Sequence, residues 1–231
     1  MQREARTIQG ALLEALRPLL GVGARLTGAS RTDAGVHALR QTASLCIDEK
    51  TGAGRTPTEL QRALNARLPA DIRVVAVAEA DAGFDARRCA LGKRYAYLID
   101  NAPLASPLIT RYAWHVGVPL DLGAMREALL TLRGSHDFSA FCAAAGRGHP
   151  PTCLVRAVHV VSRRTRVAVL VSADRFLHHM VRNIVGSAVE VGRRARPAAW
   201  MADVLRSRER PLAGPTAPAH GLALVRVLYP R

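Results

Sequence analysis

Several features that would assign this chain to a specialised class of protein are missing from its sequence. No run of about 18 apolar residues occurs, so we predict no membrane-spanning helix. The first apolar stretch, Ile8–Leu20, contains Glu14 and Arg17 and lacks the continuous apolar centre of a signal peptide. With 49% hydrophobic and 22% charged residues, the composition is that of a soluble globular protein that can bury a core.

Cysteine is scarce and its spacing is uninformative. The four cysteines form no CxxC pair and no metal-site pattern: Cys46, Cys89, Cys142 and Cys153. We therefore predict a reduced, intracellular protein with incidental thiols. His178 and His179 are adjacent, and adjacent side chains on a helix point about 100° apart, so we predict that they do not share a metal ion. No metal site is predicted.

Acidic residues and lysine are also few. The chain has 33 basic and 18 acidic residues, a net charge of +15, and its only lysines are Lys50 and Lys93. A field of this sign attracts polyanions, of which nucleic acid is the commonest. A GC-rich coding sequence would raise the arginine content whatever the function. The charge therefore favours an RNA or DNA partner, and a solvated basic surface remains the alternative.

The first third of the chain predicts the order αββαβ. A helix begins after Thr7, which can cap it, and a second begins at Thr56-Pro57, where Glu59 completes a capping box. The predicted elements are a helix from residue 8, strands 24–28 and 36–47, a helix to about residue 68 and a strand at 72–78.

The remainder predicts the order βαββα(α)β, which is that of a ferredoxin-like, split βαβ unit. The predicted elements are strand 93–100, helix 122–132, strands 154–161 and 166–172, helices 176–191 and 198–205, and strand 222–229. We predict an α+β fold of two ferredoxin-like halves, residues 1–88 and 89–231, in a pseudo-duplicated mixed or antiparallel sheet with helices on one face.

If the chain is a duplication, its first half lacks an opening strand. In a ferredoxin-like unit that strand lies inside the sheet, so its loss would leave unpaired backbone groups. We therefore expect that the sequence begins too late. The alternative is a smaller domain that starts with a helix.

Residues 28–37, GASRTDAGVH, are a polar, turn-rich segment after a predicted strand, where functional loops are common. Asp33 lies two residues before a glycine, as it does in ordinary tight turns. The nearby Arg31 favours an ionised carboxylate, which suits a nucleophile, a base or a structural ion pair.

Residues 93–97, KRYAY, place basic residues beside tyrosines, a combination that can hold phosphates while a ring stacks on a base. On a strand, Tyr95 and Tyr97 share one face, so two sheet-face aromatics explain the pattern equally well.

Residues 175–186, RFLHHMVRNIVG, predict an apolar helix interrupted by Arg182 and Asn183. An arginine in a buried helix needs a partner, because an unpaired buried charge is costly, and Asp33 would be a natural one. Alternatively, Arg182 extends to solvent.

Together these segments resemble the tRNA pseudouridine synthase A family. The matching motifs occur in family order over nearly the whole chain: GASRTDAGVH at 28–37, KRYAY at 93–97, GSHDF at 134–138, FLHHMVRNIVG at 176–186, and Gly221-Leu222 with Leu224.

The resemblance implies roles for five residues. The family's catalytic aspartate corresponds to Asp33, its active-site tyrosine to Tyr95, and the arginine that pairs with the aspartate to Arg182. Arg31 corresponds to an RNA-contacting arginine that helps to flip the base, and Leu222 to an apolar wall of the pocket.

The resemblance also implies an activity and its setting. Members isomerise uridine to pseudouridine at positions 38–40 of the tRNA anticodon stem-loop. They are cytoplasmic homodimers, need no metal or organic cofactor, and carry a basic cleft between two ferredoxin-like halves. We keep three alternatives: a non-catalytic RNA-binding protein on the same scaffold, a basic ribosome-associated structural protein, and a uridine elsewhere in RNA.

The chain departs from the family at its start. Members begin with a strand and a loop that here would precede Met1, and Met1-Gln2 corresponds to an aromatic-Gln pair. The resemblance therefore gives the same expectation of a missing strand as the comparison of the two halves. Residues 143–151 are rich in Gly, Pro and Ala, and we predict a mobile loop near the RNA, with an ordinary surface loop as the alternative.

Overall fold

The computed structural model describes residues 6–21, 23–47, 55–143 and 150–230. These residues form an α+β protein with five helices and a mixed sheet, which confirms the predicted fold class. Contacts divide the chain into one compact unit of residues 1–31 and 40–90 and another of residues 32–39 and 91–231. The division into 1–88 and 89–231 stays a prediction. The segment with Asp33, which we assigned to the first half, has its contacts in the second unit.

Two capped helices lie in the described part of the first unit. Helix α1 (Ile8–Leu20) begins after Thr7, whose hydroxyl accepts a hydrogen bond from the Gly10 N–H at 3.0 Å. Helix α2 (Pro57–Asn65) begins with the predicted capping box of Thr56 and Glu59. The buried core of this unit comes from both helices and the residues after α2: Ala15, Leu16, Leu20, Leu60, Leu64, Leu68 and Ile72.

The strands of the first unit differ from the prediction. Strand β1 (Arg25–Gly28) pairs antiparallel with β3 (Ala43–Cys46), whereas the predicted strand 36–47 is divided, since β2 (His37–Ala38) belongs to the second unit. The predicted strand at 72–78 is absent from the described residues. Side chains of α2 bind this segment instead: the Asn65 amide exchanges two hydrogen bonds of 2.8 Å with the Val74 backbone.

The second unit is built on a mixed sheet in the order β2-β9-β4-β8-β7-β6, with β5 paired to β4. Its remaining strands are β4 (Gly92–Asp100), β5 (Trp114–His115), β6 (Gly134–Asp137), β7 (Thr152–Arg163), β8 (Arg166–Ala173) and β9 (Leu222–Leu228). Strand β4 lies between β9 and β8 and is antiparallel to both, so the opening strand of this half is inside the sheet, as predicted. The short strands β5 and β6 were not predicted.

Three α-helices lie among the described residues of the second unit: α3 (Leu122–Leu130), α4 (Met180–Gly192) and α5 (Trp200–Ser207). Helix α4 is almost wholly buried, and it packs against α3 and β4. It begins at Met180 and not at the predicted residue 176, because His179 has a left-handed backbone conformation with φ 61°. No helix in the described part of the chain is both long and apolar enough to cross a membrane.

Two expectations concern residues that the structure does not describe. Met1 and Gln2, aligned with the family's aromatic-Gln pair, lie outside the described residues, as do residues 144–149 of the predicted loop at 143–151.

Candidate active site

Asp33 occupies the first position of a tight turn. The Val36 N–H donates to the Asp33 backbone oxygen at 3.1 Å, and Gly35 has a φ of 81°. A positive φ at the third position and a bond from the fourth residue to the first are features of a type II turn, which favours glycine there. The turn interpretation of Asp33 therefore holds, and it leaves the side chain available for other contacts.

The residues after this turn are anchored to the sheet. Strand β2 pairs in parallel with β9, and the Leu39 N–H donates to the Leu224 oxygen at 2.8 Å. The His37 ring lies 3.1 Å from the Arg111 oxygen through Nε2. The sheet of the second unit thus fixes the backbone that carries Asp33.

The Asp33 carboxylate lies within reach of three basic side chains at the start of α4. Arg182 Nη1 donates to Oδ2 at 3.2 Å, and His179 Nε2 lies 3.3 Å from the same oxygen. His178 Nε2 lies 3.5 Å from Oδ1. We call Asp33, His178, His179 and Arg182 the carboxylate cluster. Asp33 is 28% exposed, so the carboxylate is partly buried and still open to a substrate.

Arg182 is fixed at two points. Its Nε donates to the Ala217 oxygen at 2.8 Å, while its Nη1 contacts Asp33. Its side chain is only 14% exposed, so the alternative that it extends to solvent does not hold. A guanidinium at this distance gives the carboxylate a charge-assisted hydrogen bond.

The two histidines were absent from the predicted site residues. They precede α4, and their rings stack with centroids 3.9 Å apart and an interplanar angle of 30°. The premise that they lie on a helix and point apart is therefore wrong. The sequence feature that could have indicated these histidines is their pairing in FLHHMVRNIVG, since His179 lies three residues before Arg182, an arginine that needs a partner.

The donor atoms of Asp33, His178 and His179 lie within 4.8 Å of one another, so these residue types and spacings are compatible with a metal ion. The Arg182 guanidinium already contacts Oδ2, and its charge repels a cation. This argument, and not ring orientation, now supports the prediction that the site takes no metal.

Burial lowers the pKa of His179, and the positive charges of His178, Arg182 and Arg210 act in the same direction, against the attraction of Asp33. The imidazole is therefore neutral at neutral pH.

Tyr95 and Leu222 lie on adjacent strands, β4 and β9, and both are mostly buried. The Tyr95 ring packs edge-on against Phe176, two residues before the histidine pair, with centroids 5.0 Å apart. Leu222 pairs across the sheet with Tyr97, whose hydroxyl donates to the Pro218 oxygen at 2.8 Å. Burial raises the pKa of the Tyr97 hydroxyl, so Tyr97 is a structural donor, in agreement with the sheet-face interpretation for this residue.

Arg31, the fifth predicted residue, is exposed and belongs to the first unit, whereas the other four belong to the second.

Comparison with known proteins supports the interpretation of these motifs. A family model described as tRNA pseudouridine synthase matches residues 128–230. A tRNA pseudouridine synthase A from Myxococcus xanthus is 43% identical over 99% of this chain and 85% of the relative. Another, from Chloroflexus aurantiacus, is 42% identical over 99% of this chain and 82% of the relative. The chain belongs to the tRNA pseudouridine synthase A family.

A third tRNA pseudouridine synthase A, from Thermoanaerobacter sp., is 38% identical over 99% of this chain and 92% of the relative. A pseudouridine synthase is an isomerase, since its product has the same atoms as its substrate. The carboxylate cluster offers such an enzyme one partly exposed carboxylate, which accepts a hydrogen bond from Arg182 and lies beside two histidine rings.

Proposed function

We propose that this protein isomerises uridine to pseudouridine in the anticodon stem-loop of tRNA, with Asp33 as the catalytic residue. The observation that carries the proposal is the carboxylate cluster, in which Arg182 and two histidines surround a partly exposed Asp33. Membership of the tRNA pseudouridine synthase A family supports both the reaction and the RNA substrate.

The reaction breaks the bond between ribose C1′ and uracil N1 and forms a bond between C1′ and C5. The C5 proton is lost and N1 gains a proton, so no oxidant or reductant is required. The target base must first leave the stack, at a cost of a few kcal/mol that is smallest in loops. Asp33 then acts either as a nucleophile that forms a covalent intermediate or as a base that takes a proton on a glycal route. Both routes require an ionised carboxylate, and the Arg182 guanidinium donates a hydrogen bond to it.

The other predicted residues have supporting roles in this proposal. Tyr95 stacks on the flipped uracil and assists removal of the C5 proton, and Leu222 forms an apolar wall of the pocket. Arg31 contacts RNA and helps to flip the base. The net charge of +15 favours binding to the phosphate backbone.

The family also motivates two proposals about organisation. We propose that the protein binds RNA through its basic side chains and that it is a homodimer. Sedimentation at micromolar concentration tests the second point, and a single species of monomer mass would contradict it.

Tritium release from [5-³H]uridine-labelled tRNA tests the reaction directly, because the C5 proton must leave. We expect release by the parent protein and none by Asp33→Asn. Asp203→Asn is the matched control, since Asp203 is an exposed aspartate that is also paired with an arginine, Arg206. Its activity should equal that of the parent.

Each outcome has a distinct meaning. A parent protein that binds tRNA without releasing tritium would be a non-catalytic RNA-binding protein, and the proposal would fail. Release by Asp33→Asn would remove Asp33 from the catalytic role. Chemical mapping of pseudouridine in the product tests the position: modification only outside the anticodon stem-loop would contradict that part of the proposal.

A further inference from the structure

Four side chains on and near α4 form what we call the polar network: Asn183, Ser187, Arg210 and Thr216. Asn183 and Ser187 are fully buried. The Thr216 hydroxyl donates to Asn183 Oδ1 at 2.7 Å. Arg210 Nη2 donates to the same amide oxygen at 3.1 Å and to Thr216 Oγ1 at 3.0 Å. The network thus connects the buried side of α4 to the chain that follows α5.

The polar network holds residues 213–217, which we call the bracing segment. Arg210 Nη1 donates to the backbone oxygens of Gly214 at 2.9 Å and Ala213 at 3.4 Å. The Gly214 N–H donates to Ser187 Oγ at 2.9 Å. Three polar backbone groups of this segment are therefore bonded to side chains of the polar network.

Backbone packing leaves the bracing segment little freedom. A Cβ atom at Gly186 of α4 would lie 1.7 Å from the Pro215 oxygen, and one at Gly214 would lie 2.7 Å from Ser187 Cα. Both distances are far below van der Waals contact, so the two backbones meet directly. Side-chain rotation cannot absorb a shift of the segment at this contact.

The bracing segment in turn holds Arg182. The Ala217 N–H donates to the Arg182 oxygen at 3.1 Å, and Arg182 Nε donates to the Ala217 oxygen at 2.8 Å. An arginine side chain has much rotational freedom, which this bond restricts. The guanidinium that contacts Asp33 is therefore oriented by the position of Ala217.

Arg210 is costly to keep in this place. It is half-buried, burial lowers its pKa, and the four acceptors named above are neutral oxygens. Burying a charge among neutral groups costs free energy that an apolar side chain would not. Arg210 instead contributes geometry, because its four hydrogen bonds fix two segments of the chain.

We propose that Arg210 is a positioning residue of the active site, which acts through the polar network and the bracing segment to hold Arg182 against Asp33. The inference rests on the proposed catalytic role of Asp33. It adds a residue that touches neither the carboxylate nor the base, and its failure can be distinguished from a failure of that role.

The first variant is Arg210→Met, which keeps an unbranched apolar stem and removes all four hydrogen bonds. Arg206→Met is the matched control, because Arg206 is an exposed arginine on α5. Thr216→Val is a milder second variant that removes one hydroxyl, should Arg210→Met fail to fold. Its control, Thr131→Val, removes a similar hydroxyl that donates to the Ala128 oxygen at 2.7 Å.

Single-turnover tritium release separates positioning from folding. A purely structural role would lower the fraction of active protein, and with it the amplitude, while the rate constant stayed that of the parent. We expect the rate constant for Arg210→Met to fall by about tenfold to 100-fold, since a misplacement of about 1 Å costs this much. The affinity for tRNA should change by less than about twofold, and both controls should match the parent.

A double-mutant test then asks whether Arg210 acts through Arg182. In the Arg182→Lys background, which lacks the Nε–H that binds Ala217, Arg210→Met should have little further effect on the rate constant. An equal fold-loss in both backgrounds would overturn the inference, as would an unchanged rate constant in the foldable variants. Tritium release by Asp33→Asn would instead contradict the proposed function, so the two failures are distinguishable.

Discussion

Replacement of Arg182 by methionine is the most direct perturbation of the carboxylate cluster. The substitution keeps most of the apolar stem and removes the donors to Asp33 Oδ2, at 3.2 Å, and to the Ala217 oxygen, at 2.8 Å. A hydrogen bond to a charged group contributes about 1.5–3 kcal/mol, and each 1.36 kcal/mol corresponds to a factor of ten in rate. If that stabilisation acts in the transition state, the rate constant falls by about tenfold to 150-fold.

The effect on folding should be smaller. Asp33 is 28% exposed, so water replaces part of the lost contact. We expect the free energy of unfolding to fall by about 1–2 kcal/mol, mainly through the buried bond to Ala217. The assay is single-turnover tritium release, with urea unfolding of the same samples.

Arg182→Lys and Arg206→Met complete the experiment. A lysine ammonium keeps the charge but lacks the fork that reaches both Asp33 and Ala217, so its rate constant should lie between those of the parent and Arg182→Met. The exposed Arg206 should be replaceable without loss. An Arg182→Met rate constant within about twofold of the parent, with Asp33→Asn inactive, would refute the argument.

Three further predictions concern titration and packing. Because burial lowers the pKa of His179, the folded protein binds a proton there less readily than the unfolded chain, and stability is lost as the pH falls below the ordinary value of 6.5. The free energy of unfolding should therefore decrease less steeply from neutral to mildly acidic pH in His179→Gln than in the parent, and equal slopes would contradict this. Burial raises the pKa of Cys153 to about 11. At pH 8 we expect a thiol reagent to label the exposed Cys46 quickly and Cys153 only on unfolding, and peptide mass mapping would detect early labelling of Cys153. Gly186→Ala should lower the free energy of unfolding by about 3 kcal/mol or more, because the added methyl group meets the Pro215 oxygen; near-parental stability in urea would show that the segment can move.

The local sequence pattern was sufficient to predict most helices and strands of the second unit. Alternation along residues 93–100 predicted β4, and the order of its elements predicted that this strand lies inside the sheet. The prediction of a strand at 72–78 was wrong for a physical reason. Its composition favours a strand, but a strand also needs a neighbour, and here Asn65 and Gln61 bind the Val74 oxygen in place of a ladder partner.

Part of the candidate active site could also be predicted from the sequence. The cost of an unpaired buried arginine pointed from Arg182 to a carboxylate, and the structure places Asp33 beside it although the two residues are 149 positions apart in sequence. The histidine pair was misplaced because helical periodicity continued through it, whereas the left-handed backbone of His179 makes α4 begin only at Met180. The polar network could not be predicted from the sequence, because its donors and acceptors are distant from one another along the chain.

The two interpretations of Asp33, a residue of an ordinary turn and a functional carboxylate, are not alternatives in this molecule. The turn, closed by Gly35 and anchored by β2 on β9, fixes the backbone of Asp33 without using its side chain. The start of α4 supplies the side chains that contact the carboxylate. Each motif by itself has an ordinary structural explanation. A partly exposed carboxylate with fixed orientation requires both motifs, which is why the segments GASRTDAGVH and FLHHMVRNIVG indicate a function together that neither indicates alone.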